Sequence, residues 1–462
     1  MPQSRKEFDV VVIGAGSAGS ACALFLTLAG RRVALLESRP LEQAGARWVN
    51  GVPAWMFEQA GLATPAPPES RGVAPAFVVT DAALHSRLRV EPSPVTTVDM
   101  PRLCARLHRL CNDAGVEIFD RFHTQSLKTL DARPVSLAGE VRTTARSARG
   151  MIFKAALFVD ASGMAGALRG RVPALDEGCG QVENEHLCSA AQEVCEVADR
   201  AGAEEFLSRN HLRPGEVLAA TGVDGGFSTS SLQLDADLET VDLLTGSIAG
   251  PGHRGGPALM GELKKSRPWI GRRISGGSGL VPLRRSYDRL VAPGIALVGD
   301  AACQVFPAHG SGTGAGLLAA RALANAVVGK LDPGSLDALW TYQADWQRGF
   351  GSLCAAYDVF RRYSQLLDGD ELAGLLGSGI LGPASFKAGL EQVMPRQSFA
   401  ELSVSLRALA RAPRLWGLVP QLARMGAARA LYRRYPQARD QSALARWSAA
   451  ASWLFGDNSV CS

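Results

Sequence analysis

Three glycines near the N-terminus, Gly14, Gly16 and Gly19, stand in G-x-G-x-x-G spacing after the apolar, β-branched run at residues 10–13. Chemistry gives each a task. Gly14 permits a tight turn, Gly16 lets the backbone approach a pyrophosphate, and Gly19 lets a helix pack against a strand. Ser17 and Ala18 open that helix, whose free N–H groups and dipole favour an anion. Glu37 closes a second apolar run, residues 33–36, where a carboxylate accepts ribose hydroxyls and repels a 2′-phosphate. The pattern calls for the adenosine half of FAD or NAD. A second constellation lies far away. An apolar run at residues 295–298 leads into Gly299-Asp300-Ala301-Ala302, then Pro307 and Gly310-Ser311-Gly312-Thr313. Together the two stretches imply one dinucleotide held at both ends, with its redox ring beside the second loop.

The elements that must position these residues can be read from periodicity. Residues 10–13 and 33–36 read as buried strands, and 17–28 as the helix between them. Residues 63–75 are rich in Pro and Ala and read as a connection. Residues 101–114 show helical spacing of Leu103, Leu107, Leu110 and Cys111, closed by Gly115. The apolar run at 151–159 ends at Asp160-Ala161-Ser162-Gly163. Between about 166 and 290, short alternating segments separated by glycines read as an antiparallel sheet. Residues 295–298 return to the buried-strand pattern and must rejoin the sheet begun at residue 10, so the nucleotide domain is discontinuous. Residues 312–328 read as a helix, and about 335–455 as helical with Gly and Pro interruptions. Pro413, Pro420 and Pro436 are expected to break any long amphipathic helix there.

Composition bounds the rest. The 462 residues predict two or three domains, and 47% hydrophobic with 20% charged residues is globular usage. A net charge of +5 is mild at this length and gives no reason to expect nucleic acid as a partner. Nine cysteines lack C-x-x-C pairs and seven histidines lack H-x-x-x-H spacing, so neither a disulfide framework nor a metal is expected. A cytoplasmic location follows from the same cysteine usage. Glycines and acidic flanks in residues 7–29 argue against a signal peptide or membrane helix.

With these residues in view, the chain resembles the FAD-dependent oxidoreductases of the para-hydroxybenzoate-hydroxylase-like superfamily. It looks most like geranylgeranyl-reductase-like proteins and their relatives, the flavin-dependent halogenases. The resemblance covers roughly residues 8–330. It rests on the glycines with Glu37, on Asp160 to Gly163, on Val281-Pro282-Leu283-Arg284-Arg285, and on Gly299 to Gly312. It implies an α/β fold: a Rossmann-like FAD-binding domain at 1–165 and 291–332, an inserted antiparallel substrate domain at 166–290, and a helical C-terminal region at 333–462. It also implies FAD as cofactor, Asp300 on ribityl or ribose hydroxyls, and Gly310 to Thr313 beside the flavin pyrimidine edge. Asp160 is expected to be structural and FAD-adjacent, and Arg47 either meets the FAD phosphates or is solvated. Since no second nucleotide fingerprint is present, NAD(P)H as electron donor would dock transiently.

The chain departs from its relatives in ways that narrow the reaction. The halogenase Trp-x-Trp-x-Ile-Pro stretch is missing, and so is the Cys-Gly stretch of archaeal geranylgeranyl reductases. Cys303 replaces a common histidine, and Met100 stands where relatives often carry arginine. The catalytic candidates are His309 and Cys303, each weighed against an ordinary packing role, and the substrate candidates are Trp48 and Trp55, weighed against core. The substrate is expected to be bulky and apolar or aromatic, either free or carrier-bound, with hydride transfer or oxygen activation as the reaction. The alternatives are a monooxygenase acting on a protein- or carrier-bound substrate and a non-catalytic flavoprotein that serves assembly. Arg407, Arg411, Arg414, Arg424, Arg429, Arg433 and Arg434, set among Trp416 and Tyr432, suit either a solvated face or contact with an anionic membrane or acidic protein.

Overall fold

The computed structural model describes residues 4–144, 147–176, 178–396, 407 and 416–457. Its centre is a sheet whose parallel part runs, in order, Ile295–Leu297, Ser147–Asp160, Ser4–Ile13, Val33–Leu36 and Glu117–Phe119. Val10, Val11 and Val12 are fully buried, so the strand has no solvent-facing side. The register puts Ile13 beside Asp160 and Leu36, and Asp160 beside Leu297. Four strands therefore end together, and their loops share one crevice at the carboxyl edge, the place where open α/β sheets bind ligands. The strand near residue 295 rejoins the sheet as expected, through Ser147–Asp160 rather than against the first strand itself.

Helix Ser17–Leu28 packs on helices Met100–Ala114 and Thr313–Val327. Small residues make the second approach possible. A Cβ on Gly316 would stand 2.8 Å from the Ala18 methyl, and one on Gly299 would stand 3.1 Å from it. The two glycine-bearing stretches, nearly 300 residues apart in sequence, thus meet at Ala18.

A second, seven-stranded sheet forms the far wall, in the order Ile270–Pro282, Leu187–Val197, Thr240–Ile248, Ser228–Leu234, Val217–Thr221, Phe77–Asp81 and Arg87–Val90. The last two strands come from the first third of the chain, and Phe77–Asp81 pairs parallel to Val217–Thr221. A three-stranded sheet of Val49–Val52, Thr96–Asp99 and Ser70–Val73 sits beside them. Its third strand occupies the stretch read from sequence as a connection. Alternation there is too short to register as a strand.

Six C-terminal helices follow among the described residues, from Leu336–Arg348 to Gln441–Phe455. Helix Leu418–Arg433 runs through Pro420, contrary to the sequence expectation. Pro420 lies in its first turn, where a missing N–H costs nothing, and Pro436 lies beyond its end. Arg411, Arg414 and Pro413 lie outside the described residues. A buried ionic cluster docks this region. Arg285 is paired with Asp288 and Asp457, Asp358 accepts from Arg361 (2.6 Å) and Arg362 (3.2 Å), and Asp457 accepts from Arg362 (2.7 Å). These guanidinium groups hold the Asp358 carboxyl well below its usual range despite burial. No helix among the described residues is long and apolar enough to cross a membrane.

Candidate functional site

One cavity of about 1510 Å³ runs from the glycine-rich turn, past the loop after Leu297, onto the seven-stranded sheet and into the C-terminal helices. Drug-sized pockets are roughly 300–1,000 Å³, so a dinucleotide and a substantial second molecule can share this one.

At the nucleotide end the three glycines separate by task. Gly14 has φ +102°, and a Cβ there would lie 2.3 Å from the Ala161 carbonyl oxygen. A Cβ on Gly19 would lie 1.9 Å from the Gly14 oxygen. Both are demanded by the fold. Gly16 is different: its backbone is ordinary extended chain, and a Cβ would meet only Gly45 Cα, at 3.4 Å. Its bare backbone faces the cavity, and the fold itself does not demand glycine there. Helix Ser17–Leu28 has no side-chain cap on this end, and neither does helix Thr313–Val327. Two sets of free N–H groups are left for an anion. Glu37 is 5% exposed; its carboxylate accepts the Ala15 N–H at 2.9 Å and the Arg39 N–H at 3.0 Å. Two backbone donors fix it while leaving lone pairs for ribose hydroxyls.

At the other end Asp300 lines the cavity, and its carboxylate has no hydrogen-bond partner among the described residues. Burial pushes its carboxyl up to about 6. An unpartnered, partly exposed acceptor facing the cavity in this place fits the hydroxyls of a ribityl chain. Gly310 turns with φ +76°, and a Cβ on Gly312 would stand 3.0 Å from Asp300 Oδ1. Ser311 and Thr313 also line the cavity, and the Asn50 amide donates to Thr313 Oγ1 at 3.2 Å. The open cradle at Gly16, the unpartnered carboxylate of Asp300 and the two uncapped helix ends fit FAD.

Several residues singled out from sequence lie elsewhere. Asp160 is fully buried behind the loop, where Ser162 N–H and Oγ, Leu168 N–H and Arg169 N–H occupy its oxygens at 2.6–3.2 Å. Ala161, Ser162 and Gly163 line the cavity in its stead. Pro307 and Gly19 do not line the cavity, and Gly19 lies inside helix Ser17–Leu28. Arg47 points away from the nucleotide end into a separate cleft, while Arg39 and Gly45 face the cavity. Cys303 is fully buried, with φ +54° turning its side chain into the core, and burial raises its thiol pKa. It has no path to a substrate. Trp55 donates to the Glu391 carbonyl at 2.9 Å and pins helix Pro383–Glu391 rather than lining the cavity.

Trp48 does line it, lying over the glycine-rich strand Ile270–Pro282. A Cβ on Gly279 would come within 3.3 Å of the indole, so the glycines make room for a flat aromatic wall. His309 also faces the cavity. Its Nε2 lies 3.2 Å from the Gly389 carbonyl oxygen, which can only accept, so that nitrogen carries the proton. The residue is exposed, its surface opening onto the cavity, and desolvation by the surrounding protein lowers its pKa to about 4. A neutral ring with its one proton committed to a carbonyl is a poor acid at neutral pH.

Sequence reasoning missed other contributors. Buried His108 reaches 93 residues back to the Ala15 carbonyl oxygen at 2.8 Å and fixes the glycine turn. Gln192 accepts the Val49 N–H at 2.8 Å and stands on the cavity wall. Neither sits in a local motif. The far end is closed by Leu372, Leu375, Leu376, Ile380 and Leu418, an aliphatic surface contributed by the C-terminal helices. Met100, noted only as a departure, lines the cavity beside Thr313, its sulfur 3.6 Å from Oγ1.

Comparison with known proteins agrees with this geometry. Residues 9–66 match the profile of the FAD dependent oxidoreductases. The chain is 22% identical over 465 residues to a digeranylgeranylglycerophospholipid reductase of Sulfolobus acidocaldarius, covering 96% of each chain. Its fold is similar to that of a geranylgeranyl bacteriochlorophyll reductase-like protein of Thermoplasma acidophilum, with TM-score 0.70, 16% identity, and 90% of this chain and all of that one covered. A flavin-dependent brominase shares the fold at TM-score 0.61 and 17% identity, covering 88% of this chain and all of that one. The chain is thus similar to FAD dependent oxidoreductases at its nucleotide end, and it shares the fold of a geranylgeranyl-reductase-like protein and a flavin-dependent brominase.

Proposed function

We propose that the protein is an FAD-dependent reductase that adds hydrogen across carbon–carbon double bonds of an elongated, isoprenoid-like substrate. The observation that carries this reading is the aliphatic far end of the cavity. Leu372, Leu375, Leu376, Ile380 and Leu418 extend a path that begins at the Gly299–Thr313 loop. Such a surface favours a hydrocarbon chain by about 25 cal/mol per Å² of apolar area removed from water. Its similarity to digeranylgeranylglycerophospholipid reductases supports the same class.

In this reading the side chains divide the work. Glu37 holds the adenosine ribose, and the backbone from Gly16 to Ala18 faces the pyrophosphate. Asp300 takes the ribityl hydroxyls. The free N–H groups at Gly312 and Thr313 face the pyrimidine edge and favour negative charge there. Bound FAD supplies hydride transfer, with NAD(P)H as the external reductant. Trp48 keeps the substrate flat against the reacting region, and the aliphatic end excludes water and sets depth. Neutral His309 offers an acceptor nitrogen and no proton near pH 7.

The test is a single-turnover reaction. FAD-loaded protein is reduced without oxygen, mixed with a polyprenyl substrate, and followed by flavin absorbance and product mass. Reoxidation with a gain of two mass units per double bond is expected. Product gaining one oxygen atom after air is admitted, with no reaction beforehand, overturns the reductase reading in favour of a monooxygenase.

A further inference from the structure

We propose that a second cleft, beside Trp48, binds a phosphate or diphosphate group whose organic remainder passes Trp48 into the main cavity. The cleft has a volume of about 640 Å³ and receives Arg47, Arg71, Arg102 and Arg273, with Trp48 and Gln192 as walls. Trp48, Gln192 and Val49 line the main cavity as well, so the two spaces adjoin.

The four arginines come from four separate elements. Arg47 precedes strand Val49–Val52, Arg71 lies in Ser70–Val73, Arg102 in the first turn of Met100–Ala114, and Arg273 in Ile270–Pro282. Their meeting is therefore a product of the tertiary fold. One carboxylate on the wall, Asp99, faces them; it stands 4.0 Å from Arg102 Nε and caps its own helix through the Arg102 N–H. Arg71 is held by Asp242, both oxygens within 2.9 Å, which fixes it in place. Arg273 bonds the Ser275 and Gly276 carbonyls and lies 3.7 Å from Glu193. Arg47 has no partner among the described residues. Positive charge thus exceeds negative in the cleft, with Arg47 and Arg102 the most available. Guanidinium forks match phosphate oxygens in pairs, so several around one cleft select a group with many oxygens.

Two sources carry such a group: a prenyl diphosphate substrate, and the dinucleotide reductant. The first rests on the isoprenoid reading above. Calorimetric titration of FAD-loaded protein separates them, because the loaded cofactor blocks the other pyrophosphate site. The probes are inorganic pyrophosphate, geranylgeranyl diphosphate, geranylgeraniol and NADPH. The variants are R47A, R102A and the double variant, all at exposed positions, with unchanged flavin content as the control for folding. Pyrophosphate is expected to bind, and the double variant to bind it at least tenfold more weakly. If the substrate is the source, geranylgeranyl diphosphate binds at least tenfold more tightly than the alcohol, and the double variant abolishes that gain. If the reductant is the source, NADPH affinity falls instead, and the two prenyl probes bind alike. Unchanged affinities for pyrophosphate, geranylgeranyl diphosphate and NADPH in the double variant overturn the proposal. So does a parent protein that does not bind pyrophosphate. Pyrophosphate binding without binding of either prenyl probe supports the anion site and counts against the isoprenoid reading alone.

Discussion

Replacing Gly16 with alanine separates what the fold needs from what the ligand needs. Gly16 has φ −67° and ψ −179°, a conformation open to any residue, and its new Cβ would meet nothing nearer than Gly45 Cα at 3.4 Å. The flavin-free protein should therefore keep its stability or gain about 0.4–1 kcal/mol, since alanine lowers the entropy of the unfolded chain. The same methyl stands where the backbone must approach the pyrophosphate. Losing one N–H bond to a charged oxygen costs roughly 1.5–3 kcal/mol, a factor of about 10–150 in Kd. Gly14→Ala is the contrast: with φ +102° and a Cβ 2.3 Å from the Ala161 oxygen, it should impair folding itself. Thermal melts without flavin and FAD titration by fluorescence quenching read the two effects apart. A Gly16→Ala protein that binds FAD as tightly as the parent would refute the placement of the pyrophosphate. A flavin-free melt lowered as far as that of Gly14→Ala would refute the claim that the cradle is open.

Four further outcomes follow from the geometry. The Asp300 carboxyl, raised to about 6 from 3.8, keeps its proton in the folded state where the unfolded chain has lost it. Its contribution to stability is thus full below pH 4 and lost as pH rises through 6, by at most about 3 kcal/mol; hydroxyl donors favour the charged form, so FAD should bind more tightly at pH 7 than at pH 5, and Asp300→Asn should flatten both trends in denaturation and flavin titrations. Asp358→Asn leaves Arg361 and Arg362 without their shared buried carboxylate and should cost about 3–5 kcal/mol in urea unfolding; a loss below 1 kcal/mol would show that the cluster does not dock the C-terminal helices. Cys303→Ala should leave flavin content and turnover within about twofold, and iodoacetamide should not label Cys303 in the folded protein, because the thiol is fully buried. Leu376→Glu should weaken a polyprenyl ligand at least tenfold while leaving FAD affinity unchanged, since it charges the aliphatic end alone; equal losses for both ligands would mean the cavity is not divided as described.

The sequence was legible where one residue type in one spacing has a local backbone reason. Gly14, Gly16, Gly19 and Glu37 belong to a single strand–turn–helix–strand unit, and Gly310 to Thr313 to a turn that opens a helix. Side-chain direction in loops was not legible. Arg47 and Arg39 both follow the second strand, and only the three-stranded sheet decides that Arg47 leaves the nucleotide while Arg39 stays. Cys303 reads either as a thiol beside the ring or as a packed loop residue, and the fold, which buries it fully, decides for packing. Asp160 reads as structural and FAD-adjacent, but nothing local announces that Leu168 and Arg169 will fold back onto it. His108 and Gln192 act across 93 and 143 residues, beyond any window of periodicity. The aliphatic end is made of leucines that also satisfy ordinary helix packing, so their second role emerges only when helix Gly369–Gly377 meets the seven-stranded sheet and Leu418 packs beside Leu372 and Leu375.

The central claim is that the Gly16 cradle and the Asp300 loop hold one FAD between them. The most direct measurement is the absorbance of the protein titrated with FAD after flavin removal, read in the parent and in Gly16→Ala and Asp300→Ala. One FAD per chain in the parent, with affinity lowered in each variant, is the predicted result. A colourless parent that takes up no FAD, or two variants that bind it undiminished, would contradict the account.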